Sequence, residues 1–158
     1  MSAASTARGG APPLVGLGYV SEPISGATAE ALWQEMCVKI KRPQDFLPVI
    51  NVLCEDRDGA TGLHVWRTMD FTGPGPMHGK TIVEHIYADE TAGEIRFVVQ
   101  NDSTGSETDT EVVNVLLRDP LRIEYCMRSV ASKERKDWKA PLPSCVIAIN
   151  LTIQKAQQ

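Results

Sequence analysis

The stretch at residues 28–48 constrains the fold of this chain most. Its apolar side chains recur with the spacing of a helix that buries one face, at Ala29, Leu32, Trp33, Met36, Cys37 and Ile40. Thr28 can cap the helix start, because its hydroxyl accepts a hydrogen bond from an orphan backbone amide. Pro43 ends the helix, because the residue before a proline is disfavoured in the α conformation. The last turn carries cations that suit the helix dipole: Lys39, Lys41 and Arg42. We therefore expect one helix and a short second helical turn at residues 44–47, ahead of a run of strands.

Seven other segments have the apolar and β-branched patterns of strands. They cover residues 14–24, 50–55, 63–71, 80–88, 94–100, 111–117 and 121–130. Turn signals separate them: the Asp-Gly step at 56–59, the Gly-Pro loop at 73–76 and the polar stretch at 101–109. The sequence therefore predicts one strand before the helix and a meander of six strands after it, with a charged surface connection at 132–139.

The last segment, residues 142–156, fits two structures. Its many β-branched residues favour a strand. Pro143 at a first-turn position and Lys155 near the end favour a helix. The residues alone leave the choice open.

Length and charge limit the classes of function. The 158 residues suffice for one domain with a sizeable core, which we place at 14–158 after a disordered tail at 1–13. The net charge of −4 does not favour nucleic-acid binding, and no apolar run approaches the roughly 18 residues of a membrane span. The tail lacks the features of a secretory signal. The four cysteines are scattered, with no paired zinc-ligand spacing, so we expect buried thiols, no metal and a cytoplasmic location.

Four short motifs carry a resemblance to a known family. They are Ala31-Leu32-Trp33, the RPQDFLP stretch at 42–48, the IVEHI stretch at 82–86 and, more weakly, the LRIEY stretch at 121–125. With this order of elements, residues 14–156 resemble the SRPBCC superfamily of START domains, birch-pollen allergens and polyketide cyclases, nearest a fungal and bacterial branch of similar length. The resemblance implies an α+β helix-grip fold. In it, about seven antiparallel strands curl around a C-terminal helix, with two short helices after strand 1.

The same resemblance implies an apolar cavity between sheet and helix. Members of the superfamily bind lipids, steroids or polyketides, and some cyclise, dehydrate or isomerise them without a cofactor. It favours a helix at 142–156, which Pro141 and Pro143 would shorten.

Glu84 is the first candidate catalytic residue. Alternate residues of a strand share a face, so Ile82 and Ile86 would flank Glu84 on one wall of the cavity and contact a substrate. A carboxyl in an apolar wall has a raised pKa and can act as general acid or base. The alternative is that this face points outward, or that Glu84 pairs with a neighbouring arginine.

His64 and Trp66 share a face of the third predicted strand. An inward His64 would be the acid/base counterpart of Glu84, and Trp66 would stack on an aromatic ligand. The opposite row of this strand is more apolar apart from Arg67; it contains Leu63, Val65, Met69 and Phe71. If that row lines the cavity, His64 faces solvent.

Three further polar residues are candidates. Tyr125 shares a face with Leu121 and Ile123, where its hydroxyl could orient a ligand carbonyl or simply be satisfied in the core. An inward Arg96 or Asn114 would bind the ligand, and a surface position is the ordinary alternative for an arginine.

Together these features predict an enzyme without cofactor or metal, with an apolar small molecule as its partner. It would bind an aromatic or polyketide-like compound and catalyse cyclisation, isomerisation or elimination in secondary metabolism. The main alternative is a carrier or sensor of hydrophobic ligands that performs no chemistry, and a protein-interaction domain is a third, weaker reading. The sequence leaves a homodimer open.

Overall fold

A computed structural model describes residues 17–57, 63–75, 77–100, 107–137 and 143–158. The predicted tail at residues 1–13 lies outside these ranges. So do the start of the first predicted strand and part of the predicted turn at 56–59.

The described residues form one seven-stranded sheet and two α-helices. In chain order the elements are β1 (Tyr19–Val20), α1 (Ala29–Lys41), a 3₁₀ turn (Pro43–Asp45), β2 (Val49–Asp56), β3 (Leu63–Phe71), β4 (Thr81–Asp89), β5 (Glu94–Gln100), β6 (Glu107–Leu117), β7 (Arg122–Arg128) and α2 (Pro143–Ala156). The sheet order is β1-β7-β6-β5-β4-β3-β2, with every pair antiparallel. The predicted α+β helix-grip fold, a curled sheet with a C-terminal helix, is confirmed.

Helix α1 begins and ends where the sequence predicts. The Thr28 hydroxyl accepts a hydrogen bond from the Ala31 amide at 3.0 Å, and Pro43 opens the 3₁₀ turn directly after the helix. Its buried residues lie on one stripe: Leu32, Trp33, Met36, Lys39 and Ile40. Lys39 is the ionisable residue in this otherwise apolar stripe.

The last segment is a helix, which settles the choice between helix and strand. Its most buried residues are Cys145, Ala148, Ile149 and Thr152, at the spacing of a helix with one buried face. This face packs against α1 and closes the core over the sheet. The β-branched residues of α2 are therefore accommodated by tertiary packing, which overrides their weak preference for strands.

The described part of the first predicted strand, residues 17–24, is only partly regular. Within it, Tyr19–Val20 pairs as a strand with β7. The chain still follows β7 beyond it, because the amides of Ser21 and Ile24 donate to the carbonyls of Ile123 and Leu121 at 2.9 and 2.8 Å. The expected strand thus continues as irregular backbone held along the sheet edge.

Strand β6 begins earlier than expected. The polar residues at 107–109 belong to the strand rather than to the predicted loop at 101–109. The Thr108 hydroxyl donates to the Val99 carbonyl of the neighbouring strand at 2.9 Å, and Gln100 pairs with Glu107 after a register shift that follows Val98. Polar side chains are tolerated there because cross-strand hydrogen bonds satisfy the backbone.

The two faces of the sheet have different surroundings. The inner face packs against α1 and α2 and holds the main core, which includes Val65, Ile86, Phe97 and Ile123. The outer face carries polar and aromatic side chains. Within the ranges that the structure describes, neither helix is long and apolar enough to span a membrane.

Candidate active site

A cavity of about 240 Å³ lies between the inner face of the sheet, α1 and the start of α2. Its lining residues are Lys39, Leu47, Arg67, Met69, Phe71, Met77, Ile82, Glu84, Phe97, Val99, Val112, Asn114, Tyr125, Ser144 and Cys145. Most of this wall is apolar, as is usual for a small-molecule site with a few convergent polar groups.

A surface groove of about 440 Å³ adjoins the cavity. It runs between the 3₁₀ turn and α2, and it shares Leu47 and Ser144 with the cavity wall. Its other lining is mainly apolar, including Pro48, Pro74 and Ile147. The groove and the cavity are therefore separated by the side chains of Leu47 and Ser144.

Lys39 is the polar group at the centre of this wall. Only 4% of the residue is exposed. Its Nζ donates hydrogen bonds to Asn114 Oδ1 at 2.6 Å and to Tyr125 Oη at 2.7 Å. The same nitrogen lies 4.4 Å from the centre of the Tyr125 ring and 5.1 Å from that of Phe97. In the part of the chain that the structure describes, no carboxylate forms an ion pair with it.

Burial and charge change the protonation of Lys39. The pKa of the Lys39 amine is lowered from 10.5 to about 7, first by its removal from water and then by the nearby Arg67 charge, against smaller opposing effects of Cys145 and Glu84. The neutral amine is therefore well populated near neutral pH. An amine of this kind can act as a base or a nucleophile.

Glu84 lies at the cavity wall, where the sequence predicts it, but it has an arginine partner. It faces Arg67 across the β3–β4 register, and both side chains are nearly fully buried. Arg67 donates to Glu84 Oε1 from Nε at 3.0 Å and also from Nη2. The alternative in which Glu84 pairs with a neighbouring arginine is therefore the one observed.

Arg67 also holds the end of α1. Its Nη1 donates to the carbonyls of Lys39 and Ile40, at 3.1 and 2.7 Å. These are last-turn carbonyls that lack partners within the helix. Arg67 therefore fixes the backbone that carries Lys39 while placing a positive charge beside its amine.

Tyr125 and Asn114 both face the cavity. They are opposite each other on β7 and β6, and both are almost completely buried. Burial raises the pKa of the Tyr125 hydroxyl well above its usual range, so it stays protonated. It can therefore accept from the Lys39 amine and donate its own hydrogen.

The two isoleucines that flank Glu84 on β4 have different surroundings. Ile82 lines the cavity, as expected for a substrate contact. Ile86 is fully buried in the main core and is not part of the cavity wall, so the substrate contact predicted for it does not form there.

His64 and Trp66 lie on the outer face, which corrects the expectation that they face the ligand. Alternation along β3 turns the row from Val65 to Phe71 inward instead, and Arg67 goes with that row. His64 Nε2 lies 3.0 Å from His85 Nδ1, and its ring stacks on Tyr87. His64 cannot act as counterpart of Glu84, because the sheet separates them.

Trp66 and Arg96 have outer-face partners. The Trp66 indole donates to Gln100 Oε1 at 3.1 Å. Arg96 donates to Glu111 Oε1 at 2.7 Å and lies over the Tyr87 ring. Neither residue reaches the cavity, so the predicted stacking and ligand-binding contacts are not formed.

Lys39 and Arg67 are the cavity residues that sequence reasoning missed as functional candidates. A signal for each was present. Lys39 stands three residues after Met36 and seven after Leu32, which places it on the apolar stripe of α1. Arg67 interrupts the apolar row of β3. A charged residue at a position that the period assigns to the core is the signal for a buried ionisable group.

The arrangement suits proton transfer at a carbonyl compound. The apolar wall can hold the body of a ligand, the neutral Lys39 amine can remove a hydrogen next to a carbonyl, and the Tyr125 hydroxyl can donate to an oxygen. Among the described residues, no three His, Cys, Asp or Glu side chains come together as metal ligands would.

Comparisons with known proteins identify the fold. No protein-family model and no curated protein matches this sequence. The di-domain aromatase/cyclase StfQ of the steffimycin biosynthetic pathway matches with a TM-score of 0.58 and 10% identity, over 89% of this chain and 51% of StfQ. The Zhui aromatase/cyclase from Streptomyces sp. R1128 matches with a TM-score of 0.54 and 14% identity, over 89% of this chain and 92% of Zhui. This chain thus spans about half of StfQ and nearly all of Zhui, and at such identities the likeness shows the fold alone.

Proposed function

We propose that this protein is a cofactor-independent enzyme that binds an apolar, aromatic or polyketide-like carbonyl compound. The reaction is a cyclisation, isomerisation or elimination that begins with removal of a hydrogen next to the carbonyl. The observation that carries the proposal is the buried Lys39 amine, held by Asn114 and Tyr125 at the wall of an apolar cavity. Solved structures of the same fold are named aromatase/cyclases, which supports ring closure as the outcome.

Lys39 is the base in this reaction. Its neutral amine takes the α-hydrogen of the ligand and becomes an ammonium. Asn114 and Tyr125 hold the nitrogen in place, which removes the need to order it during the reaction. The Arg67 charge favours return of the proton from Lys39 to the product.

Glu84 and Arg67 support this centre. The Glu84 carboxylate is bound to the Arg67 guanidinium, so we assign the base to Lys39 and not to Glu84. Arg67 holds a fixed guanidinium in the wall of the same cavity as Lys39, and we expect this preorganised charge to favour the negative charge of an enolate.

A carrier of hydrophobic ligands is the second candidate. The apolar side chains that make up most of the cavity wall favour it, and a carrier predicts both His64 and Glu84 outside the cavity; His64 lies outside, whereas Glu84 lies in the cavity wall. The two candidates differ in whether the bound molecule is changed. Placement in the fungal and bacterial branch of the superfamily and in the cytoplasm stays a prediction in either case.

Enolisation of a simple ketone tests the proposal. Acetophenone is incubated with the protein in D₂O, and NMR follows the exchange of its methyl hydrogens together with its saturation-transfer signal for binding. We expect exchange above the buffer rate and a loss of about 10²-fold or more in Lys39→Met. Lys41→Met is the matched control, because Lys41 is on the same helix but is exposed and paired with Asp56. Binding without exchange would support the carrier instead.

A further inference from the structure

The surroundings of the Lys39 nitrogen specify its hydrogen-bond geometry. A neutral amine has two hydrogens and one lone pair. Among the described residues, Nζ has two acceptors, Asn114 Oδ1 and Tyr125 Oη, and both are uncharged oxygens. The two hydrogens are thereby used, and the lone pair remains at a nitrogen that borders the cavity.

Two further features favour attack by this nitrogen on a carbon atom. The amine lies in an apolar wall and beside the Arg67 guanidinium, and both conditions activate a lysine as nucleophile. Because Arg67 is bound to Glu84 and to two backbone carbonyls, its charge is fixed in position.

We propose that Lys39 forms an imine with the ketone or aldehyde of a ligand in this cavity, so that the substrate class is a carbonyl compound bound covalently during the reaction. This inference rests on the proposed function and deepens it: the Lys39 nitrogen, which takes the α-hydrogen of a ligand while it is a free amine, becomes in the imine the atom that accepts the electrons of the adjacent C–H bond. Protonation of the imine nitrogen makes the hydrogen on the adjacent carbon more acidic. Loss of this hydrogen to the water set free by imine formation leaves an enamine, whose carbon is the electron donor for ring closure.

The Lys39 amine and the Tyr125 hydroxyl supply the proton transfers that imine formation needs. The Nζ lone pair forms a bond to the carbonyl carbon, and the carbonyl π electrons move to oxygen. One amine hydrogen passes to this oxygen through the Tyr125 hydroxyl, which lies 2.7 Å from Nζ. The second amine hydrogen follows as the C–O bond breaks, so one water leaves and a C=N bond remains. Addition of water reverses the sequence and frees the ligand.

The test uses benzoylacetone, a 1,3-diketone with an aromatic ring. A lysine amine condenses with it, losing one water, to give a stable conjugated enaminone that needs no reductant. The wild-type protein is incubated with the diketone at pH 7, and intact mass and proteolytic peptide mapping then locate the adduct. We expect labelling at Lys39 to be at least tenfold faster than at Lys41, since an ordinary lysine is only about one part in 10³ neutral at this pH.

Two variants sharpen the result. Lys39→Met is expected to lose the fast adduct, and it should fold, since methionine is unbranched and flexible and can fill the space of the buried lysine chain. Tyr125→Phe keeps the ring and removes the relay, so adduct formation should slow by about tenfold or more, with the Lys39 pKa, read by NMR, still below 8. The labelling itself is read on the wild-type chain, so it does not depend on how a variant folds.

The outcomes separate the two proposals. Labelling that is absent from Lys39, or no faster there than at Lys41, overturns the imine. If acetophenone exchange still depends on Lys39 in that case, the base function stands without a covalent step. Fast labelling of Lys39 without any exchange would support the nucleophile and count against the proposed reaction.

Discussion

The two faces of the sheet each bury an ionisable group, and they treat its charge in opposite ways. On the outer face, Glu111 has no exposed surface and is bound by Arg96 at 2.7 Å and Arg128 at 2.6 Å, with Lys133 at 3.3 Å. On the inner face, Lys39 is also buried but has the uncharged oxygens of Asn114 and Tyr125 as partners.

The pKa shifts follow from these partners. Burial alone would raise the pKa of Glu111, but the hydrogen bonds and charges of Arg128 and Arg96 outweigh it and hold the pKa below its usual range, so Glu111 stays charged. Burial and the Arg67 charge lower the pKa of Lys39 to about 7, because no carboxylate among the described residues is bound to the amine and the opposing effects of Cys145 and Glu84 are smaller. Burial therefore creates a reactive group only where the opposite charge is missing.

A charged partner for Lys39 should remove the difference between the two buried groups. Asn114→Asp replaces the oxygen 2.6 Å from Nζ by a carboxylate of the same shape. The ion pair favours the ammonium, so the Lys39 pKa rises and the base is lost at pH 7. We expect acetophenone exchange to fall by about 10²-fold. Asn150→Asp, on the exposed side of α2, is the control and should leave the exchange rate unchanged.

Removal of the Glu111 carboxylate should destabilise the charged cluster on the outer face. Glu111→Gln leaves Arg96, Arg128 and Lys133 close together without their shared carboxylate. Because these cations are partly exposed, we expect a loss of roughly 1–3 kcal/mol in the free energy of unfolding, measured by urea titration. Exchange per folded molecule should not change. A stability equal to that of the wild type would contradict a structural role for this cluster.

The low pKa of Lys39 should also appear in the pH dependence of the free energy of unfolding. The unfolded chain binds a proton at Lys39 up to pH 10.5, while the folded chain loses it near pH 7, so the unfolded state binds more protons between these values. Stability contributed by Lys39 therefore rises with pH in this window. The free energy of unfolding of the wild type minus that of Lys39→Met should increase by roughly 2 kcal/mol from pH 7 to 9. A flat difference would mean that Lys39 is protonated in the folded protein.

The smallest effect is expected for the outer-face histidine. His64→Ala removes a ring that stacks on Tyr87 and approaches His85, on the side of the sheet away from the cavity. Exchange should stay within about twofold of the wild type once the folded fraction is matched. A loss near 10²-fold would restore His64 to the acid/base role that the sequence predicts for it.

Most of the fold could be predicted from the sequence, because the apolar residues follow the helical period in α1 and the two-residue period in the strands. The helical spacing and the Thr28 and Pro43 boundaries predict α1 closely, and alternation predicts the six strands after it. The C-terminal helix was not readable from residues 142–156 alone. Its β-branched content favours a strand, and the packing against α1 that decides the matter is a long-range contact.

The site was only partly readable, because alternation divides a strand into two faces without saying which is inner. Tyr125, Asn114, Ile82 and Glu84 fall on the expected side, whereas His64 and Trp66 do not. Lys39 looked like a last-turn cation that suits the helix dipole. Its position on the apolar stripe of α1 indicates instead that its side chain is buried.

The pKa of the Lys39 amine tests the account most directly. Lysine labelled with ¹³C at Cε and ¹⁵N at Nζ is incorporated, and Lys39→Met assigns the resonance by its disappearance. We predict a titration midpoint near pH 7, with every step proposed at this site following from it. A midpoint at the ordinary lysine value, above pH 10, would show that the buried amine is charged at neutral pH and would contradict both its basic and its nucleophilic function.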